Sequence, residues 1–121
     1  MLKDTFFTFT TPETDGSLLK TTITLNPTHD IFKGHFPGRP VVPGVCMMQM
    51  IKEILENHLG KKLQLVKADN IKFLSFIDPD QHGQVGLEVK VNMVDGQIKT
   101  DAQLLNEETV FLKFKGVFKW A

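Results

Sequence analysis

The chain has 121 residues, with Lys plus Arg and Asp plus Glu equal at 14 each and a formal net charge of zero. Residues 1–121 are therefore expected to form a single domain, small enough that pairing with a second copy would bury useful extra surface. With no basic block interleaved with aromatics a general nucleic-acid binder is excluded, and no apolar run reaches the roughly 20 residues that span a bilayer.

The opening residues Met1-Leu2-Lys3-Asp4-Thr5 lack the apolar region of a secretory signal, so a cytoplasmic protein is expected. A first strand is expected near residues 5–10. Leu19, Thr21, Ile23 and Leu25 then alternate with Lys20, Thr22 and Thr24, the pattern of a half-buried strand.

The run His35-Phe36-Pro37-Gly38-Arg39-Pro40-Val41-Val42-Pro43-Gly44-Val45 follows, with three prolines and two glycines inside eight residues. Proline fixes φ and turns the preceding residue away from helix, so a rigid loop is expected, and Gly44 lets another group approach closely. A helix is predicted over residues 45–59, closed by Gly60 at its C′ position. A loop feeding a helix start presents free N–H groups and the positive end of the helix dipole, which polarise a carbonyl or hold an anion.

At about 100° per residue, Ile51, Ile54, Leu55 and His58 mark the centre of the apolar stripe, while Gln49, Lys52, Glu53 and Glu56 gather opposite. Two readings of Gln49 follow. It begins a polar face as a structural amide, or it serves a pocket, because residues 45–51 are apolar except for Gln49 and are expected to be enclosed. The sole cysteine, Cys46, excludes an internal disulfide, and its apolar neighbours point to a buried, inert thiol rather than one activated by the helix start.

A strand is expected over residues 63–76, then the turn Asp80-Gln81-His82-Gly83. Val85, Leu87, Val89, Val91 and Met93 alternate with polar residues or Gly86, and Asp95-Gly96 is a two-residue hairpin signal leading into Ile98, Thr100, Ala102 and Leu104. The last strand, residues 109–120, places Val110, Leu112, Phe114, Gly116, Phe118 and Trp120 on one side and Lys113, Lys115 and Lys119 on the other. About six strands and one long helix make an α+β domain, with a curved antiparallel sheet covering the helix.

His-Phe-Pro-Gly-x-Pro-x-x-Pro-Gly-Val, from His35 to Val45, resembles the active-site signature of the β-hydroxyacyl-(acyl carrier protein) dehydratases of the hotdog superfamily. Asn26-Pro27-Thr28-His29-Asp30-Ile31-Phe32-Lys33-Gly34 is similar to that family's lead-in, and Ile71-Lys72-Phe73 with Asp78-Pro79-Asp80 to its later strand and turn, so the resemblance covers residues 26–80. It implies a hotdog fold, a sheet of about six strands wrapped around one central helix. It also implies a catalytic pair at His35 and Gln49, contributed by different subunits of a dimer that can associate further into a trimer of dimers. Phe36, Gly38, Pro43, Gly44 and Val45 would bind substrate.

The family's glutamate is replaced by Gln49, which cannot exchange a proton near neutral pH, and general acid–base catalysis is worth about 10²–10⁴ in rate. Glu53, one turn later, is where the dehydratases often carry glutamine. It is a possible substitute acid, or else a solvated side chain paired with Lys52. The implied substrate is a 3-hydroxyacyl thioester carried on the phosphopantetheine of acyl carrier protein or coenzyme A, with no cofactor of the protein's own. The expected product is a trans-2-enoyl thioester of fatty-acid or related biosynthesis. An acyl thioesterase, with Gln49 positioning water, and a non-catalytic acyl-binding module are the alternatives. The histidines at 29, 35, 58 and 82 show no metal-ligand spacing, so no metal is expected. His29 reads as a loop residue, His58 as helix surface and His82 as part of a turn.

Overall fold

In the computed structural model, which describes residues 1–121, alternating patterns become the strands β1 (Phe7–Phe9), β2 (Glu13–Asp15), β3 (Leu18–Leu25), β4 (Leu63–Phe73), β5 (Gln84–Val94), β6 (Gln97–Leu105) and β7 (Val110–Trp120). The helices are the single turn α1 (Ile31–Gly34) and the long α2 (Gly44–Leu59). The strands form one antiparallel sheet in the order β1-β3-β5-β6-β7-β4, with β2 paired to β3. This is the α+β hotdog arrangement, a sheet curved around one central helix. No helix is long and apolar enough to cross a membrane.

Local chemistry explains the connections. Asp95 and Gly96 both take positive φ, 51° and 75°, as a type I′ hairpin requires, and this sets the β5–β6 register with Met93 opposite Ile98. Gly60 ends α2 in the left-handed region at φ 78°, its N–H donating to the Glu56 carbonyl. The Glu56 side chain then accepts from the Leu63 N–H at 2.7 Å, fixing the start of β4 against the helix end.

Cys46, Met47, Met50, Ile51, Ile54 and Leu55 form the buried stripe of α2 and pack with Leu19, Ile23, Val85, Leu87, Val89, Leu104, Phe114 and Phe118 of the sheet in one core. Gly116 is needed where β4 crosses β7, because a Cβ there would lie 2.6 Å from both the Lys67 carbonyl oxygen and the Phe114 ring. The β4–β7 register shifts on either side of this point.

The structure departs from the sequence reading in four places. There are seven strands rather than six, because β2 is a three-residue, fully exposed segment with no apolar period to reveal it. The single turn α1 is held by one buried side chain, Phe32. On α2 the buried stripe includes Glu53, 2 % exposed, and leaves His58 exposed. Finally Val45, expected to be enclosed, is 75 % exposed.

Candidate active site

The segment from His35 to Gly44 is a rigid connector. His35 caps the end of α1. Phe36 and Arg39 exchange two backbone hydrogen bonds, 3.1 and 2.9 Å, across a turn in which Gly38 has φ 77°. The Val41 N–H returns to the His35 carbonyl at 3.1 Å, and the Val42 N–H donates to the Ile77 carbonyl at 2.9 Å. Pro43 stands at the N-cap position of α2 without any side-chain cap.

These bonds settle the His35 imidazole. Its Nδ1 lies 3.2 Å from the Val41 carbonyl oxygen, which only accepts, so Nδ1 carries the proton and Nε2 is left with a free lone pair. The ring stacks on Phe36 with centroids 4.1 Å apart, and the pair opens on a cleft of 470 Å³. Val41, Val42, Gly44 and Met47 line one side of it, and Phe73, Leu74, Ser75 and Phe76 the other. Gly44 is required here, since a Cβ would meet the Phe73 ring at 2.9 Å. The N–H groups of Gly44 and Val45, first in the helix, have no carbonyl one turn back to bond.

The cleft thus brings together His35, Phe36 and Gly44 of the residues singled out in the sequence. Gly38 shapes the exposed turn, Pro43 starts the helix, and Val45 lies outside the cleft lining. Sequence reasoning missed Met47 and the Phe73–Phe76 wall. The signal was available in the consecutive apolar residues after Lys72, which break the alternation that a half-buried strand would keep.

Gln49 and Glu53 are brought together, but away from the cleft of their own chain. Gln49 Nε2 donates to Glu53 Oε2 at 2.8 Å. Glu53 also accepts from the Leu2 N–H, 2.9 Å to each oxygen, and from the Lys3 N–H at 2.8 Å. Burial pushes the Glu53 carboxyl upward, yet the donors from Leu2, Lys3 and Gln49 prevail and hold it below the ordinary glutamate value. It is a buried, bonded carboxylate, ionised at neutral pH, and the expectation of a solvated partner for Lys52 is corrected. Two backbone amides from a distant segment satisfy it, and no local spacing announces them.

The other histidines have local duties. His29 Nδ1 accepts from the Ile31 N–H at 3.1 Å, and His82 Nδ1 accepts from the Asp78 N–H at 3.2 Å. Cys46 is buried, and desolvation raises its pKa.

A family model described as ApeI dehydratase, of the ApeI-like family, matches residues 11–111. The 3-hydroxyacyl-[acyl-carrier-protein] dehydratase FabZ of Clostridium acetobutylicum is 33% identical over 73 residues, 54% of this chain and 50% of that protein. The FabZ of Caulobacter vibrioides is 29% identical over 106 residues, 80% of this chain and 56% of that one. The chain spans about half the length of these curated relatives. Among solved structures, the dehydratase heterocomplex ApeI:P from Xenorhabdus doucetiae matches with a TM-score of 0.72 at 19% identity, covering 92% of this chain and 96% of that one. A variant acyl-CoA hydrolase from Staphylococcus aureus in complex with coenzyme A matches with a TM-score of 0.60 at 15% identity, covering 86% and 64%. At these identities the structures speak for the fold alone.

Proposed function

The chain belongs to the ApeI-like dehydratase family, and from that premise we propose that it dehydrates 3-hydroxyacyl thioesters to trans-2-enoyl thioesters in fatty-acid or related acyl-chain biosynthesis. The observation that carries this reading is the His35 imidazole, with Nδ1 bonded to the Val41 carbonyl and Nε2 free beside the unbonded amides at the start of α2. The acyl group would arrive on the phosphopantetheine of acyl carrier protein or coenzyme A, and the protein needs no cofactor of its own.

In this mechanism the thioester carbonyl accepts hydrogen bonds from the Gly44 and Val45 N–H groups, which stabilise the enolate-like charge that develops. His35 Nε2 removes a proton from C2. The C2–H electrons form the C2=C3 double bond as the C3–O bond breaks, and the imidazolium returns the proton to the departing hydroxyl, releasing water. A single histidine then serves as base and acid, since Gln49 has no proton to give and Glu53 is ionised against backbone amides.

The site is shared between subunits in this reading. In one chain Gln49 does not line the cleft, while Val45, Leu65, Val66, Ile71, Phe73 and Phe76 are exposed. Five of the six lie on the free edge strand β4 or just after it. A homodimer formed through this surface would cover them and bring Gln49 toward His35 of the partner subunit, where it orients the 3-hydroxyl. A trimer of such dimers is a further assembly, and the ApeI:P heterocomplex makes a related, non-identical subunit the other candidate for this surface.

Incubation of the purified protein with 3-hydroxyacyl and acyl thioesters, followed by separation of enoyl product from free acid, tests the assignment. Enoyl product is expected, with a loss of about 10²–10⁴ in His35→Ala. Equal rates in wild type and His35→Ala would sink the mechanism. Free acid as the main product would instead favour the thioesterase reading, in which Gln49, an amide suited to holding water, presents a nucleophile to the same carbonyl. A one-histidine mechanism also predicts that kcat/KM rises through a single ionisation, without the falling limb that a separate carboxylic acid would produce.

A further inference from the structure

The proposed mechanism leaves one buried charge without a task. Glu53, 2 % exposed, is anchored by the Leu2 and Lys3 N–H groups at 2.8–2.9 Å. Its fourth contact is the Gln49 amide nitrogen at 2.8 Å. A carboxylate only accepts hydrogen bonds, whereas a primary amide has a donating and an accepting end. Glu53 can therefore hold Gln49 only by its nitrogen, and the Gln49 oxygen is turned away from it.

Resting on the reading of Gln49 as a pocket residue, we propose that Glu53 is a positioning residue: it fixes the Gln49 amide so that the oxygen, an acceptor, is what the substrate meets. A 3-hydroxyl then donates its proton to Gln49 Oε1, and a lone pair of the hydroxyl oxygen is left facing the imidazolium that protonates it. A 3-oxo group has no proton to donate and would place its oxygen against the Gln49 oxygen. The pair thus selects 3-hydroxyacyl over 3-oxoacyl thioesters, and it does so without Glu53 touching either.

Glu53→Gln tests this because of its own geometry. The Leu2 and Lys3 N–H groups require an acceptor, so the oxygen of the new amide faces them and its nitrogen faces Gln49. Gln49 must then turn its oxygen inward and show its nitrogen to the substrate, which inverts the preference. The measurement is inhibition by a 3-oxoacyl-coenzyme A against turnover of the matching 3-hydroxyacyl-coenzyme A, on the intact assembly. In Glu53→Gln the 3-oxo compound is expected to bind about tenfold tighter and kcat on the 3-hydroxy compound to fall about tenfold, the scale of one hydrogen bond made or lost. Gln49→Leu removes both ends of the amide and should bring the preference toward parity, which covers the case of a poorly folded Glu53→Gln.

An unchanged 3-hydroxy to 3-oxo ratio in folded Glu53→Gln, or in Gln49→Leu, overturns the proposal. Turnover that ignores His35 counts against the dehydratase reading instead, and the binding preference can be measured whether or not turnover survives.

Discussion

The two long sides of α2 are finished to different degrees. Toward the sheet, Met47, Met50, Ile51, Ile54 and Leu55 are all buried to 3 % exposure or less, and the one carboxylate among them is fully bonded. On the other side Val45 is 75 % exposed, and the neighbouring strand β4 leaves Leu65, Val66, Ile71 and Phe73 open. An edge strand this long and this apolar invites pairing. One chain completes the first side alone, whereas the second is written for another subunit, and the His35 cleft lies on the second. Stability and activity should therefore separate along the helix.

That separation is tested most severely on the closed side. Ile54→Ala removes a fully buried side chain and is expected to lower unfolding stability by about 2–5 kcal/mol, measured by denaturant titration. A loss well under 1 kcal/mol would mean that the helix is held chiefly by its open face. On that open face, Leu65→Asp with Ile71→Asp should weaken subunit association about a hundredfold, or about 3 kcal/mol, by removing two apolar side chains from the joint. Sedimentation would show the smaller species, circular dichroism should be unchanged, and activity should fall with the assembly. A monomer with full activity would show that one chain holds a complete site. Gly116→Ala, back on the closed side, forces a Cβ against the Lys67 carbonyl and Phe114 and should cost about 1–3 kcal/mol without altering assembly.

The legibility of the sequence follows the same division. The β3, β5, β6 and β7 periods, the Asp95-Gly96 hairpin and the Gly60 cap were readable because each is a local preference that the final packing reinforces. The position of His35 was readable because its loop is built from prolines and glycines whose backbone demands are strict. Glu53 was misplaced for the opposite reason. Its partners are the backbone amides of Leu2 and Lys3, some 50 residues away in sequence, and helical periodicity carries no record of a main-chain donor. Val45 failed similarly, since apolar composition says that a residue will be covered but not whether its own chain does the covering. The Phe73–Phe76 wall belongs with it, exposed in one chain and apolar all the same.

The smallest effect concerns pH, and it bears on whether the closed side is closed by a charge. Glu53 sits below the ordinary glutamate value of 4.5: burial opposes the shift, and the Leu2, Lys3 and Gln49 donors outweigh it. A group whose pKa is lower in the folded than in the unfolded chain stabilises the fold fully above its unfolded value. That contribution is lost as the pH falls through its folded value. Wild type should therefore lose thermal stability faster than Glu53→Gln as the pH is lowered from about 6 to about 3, and the gap between the two Tm curves should narrow toward the acid end. A gap that stays constant would mean that Glu53 is already protonated in the native protein. It would then be able to donate as well as accept, and the Gln49 amide would no longer be held by one end only. Parallel Tm curves would thus reopen the orientation of Gln49 and, with it, the question of which group supplies the second proton.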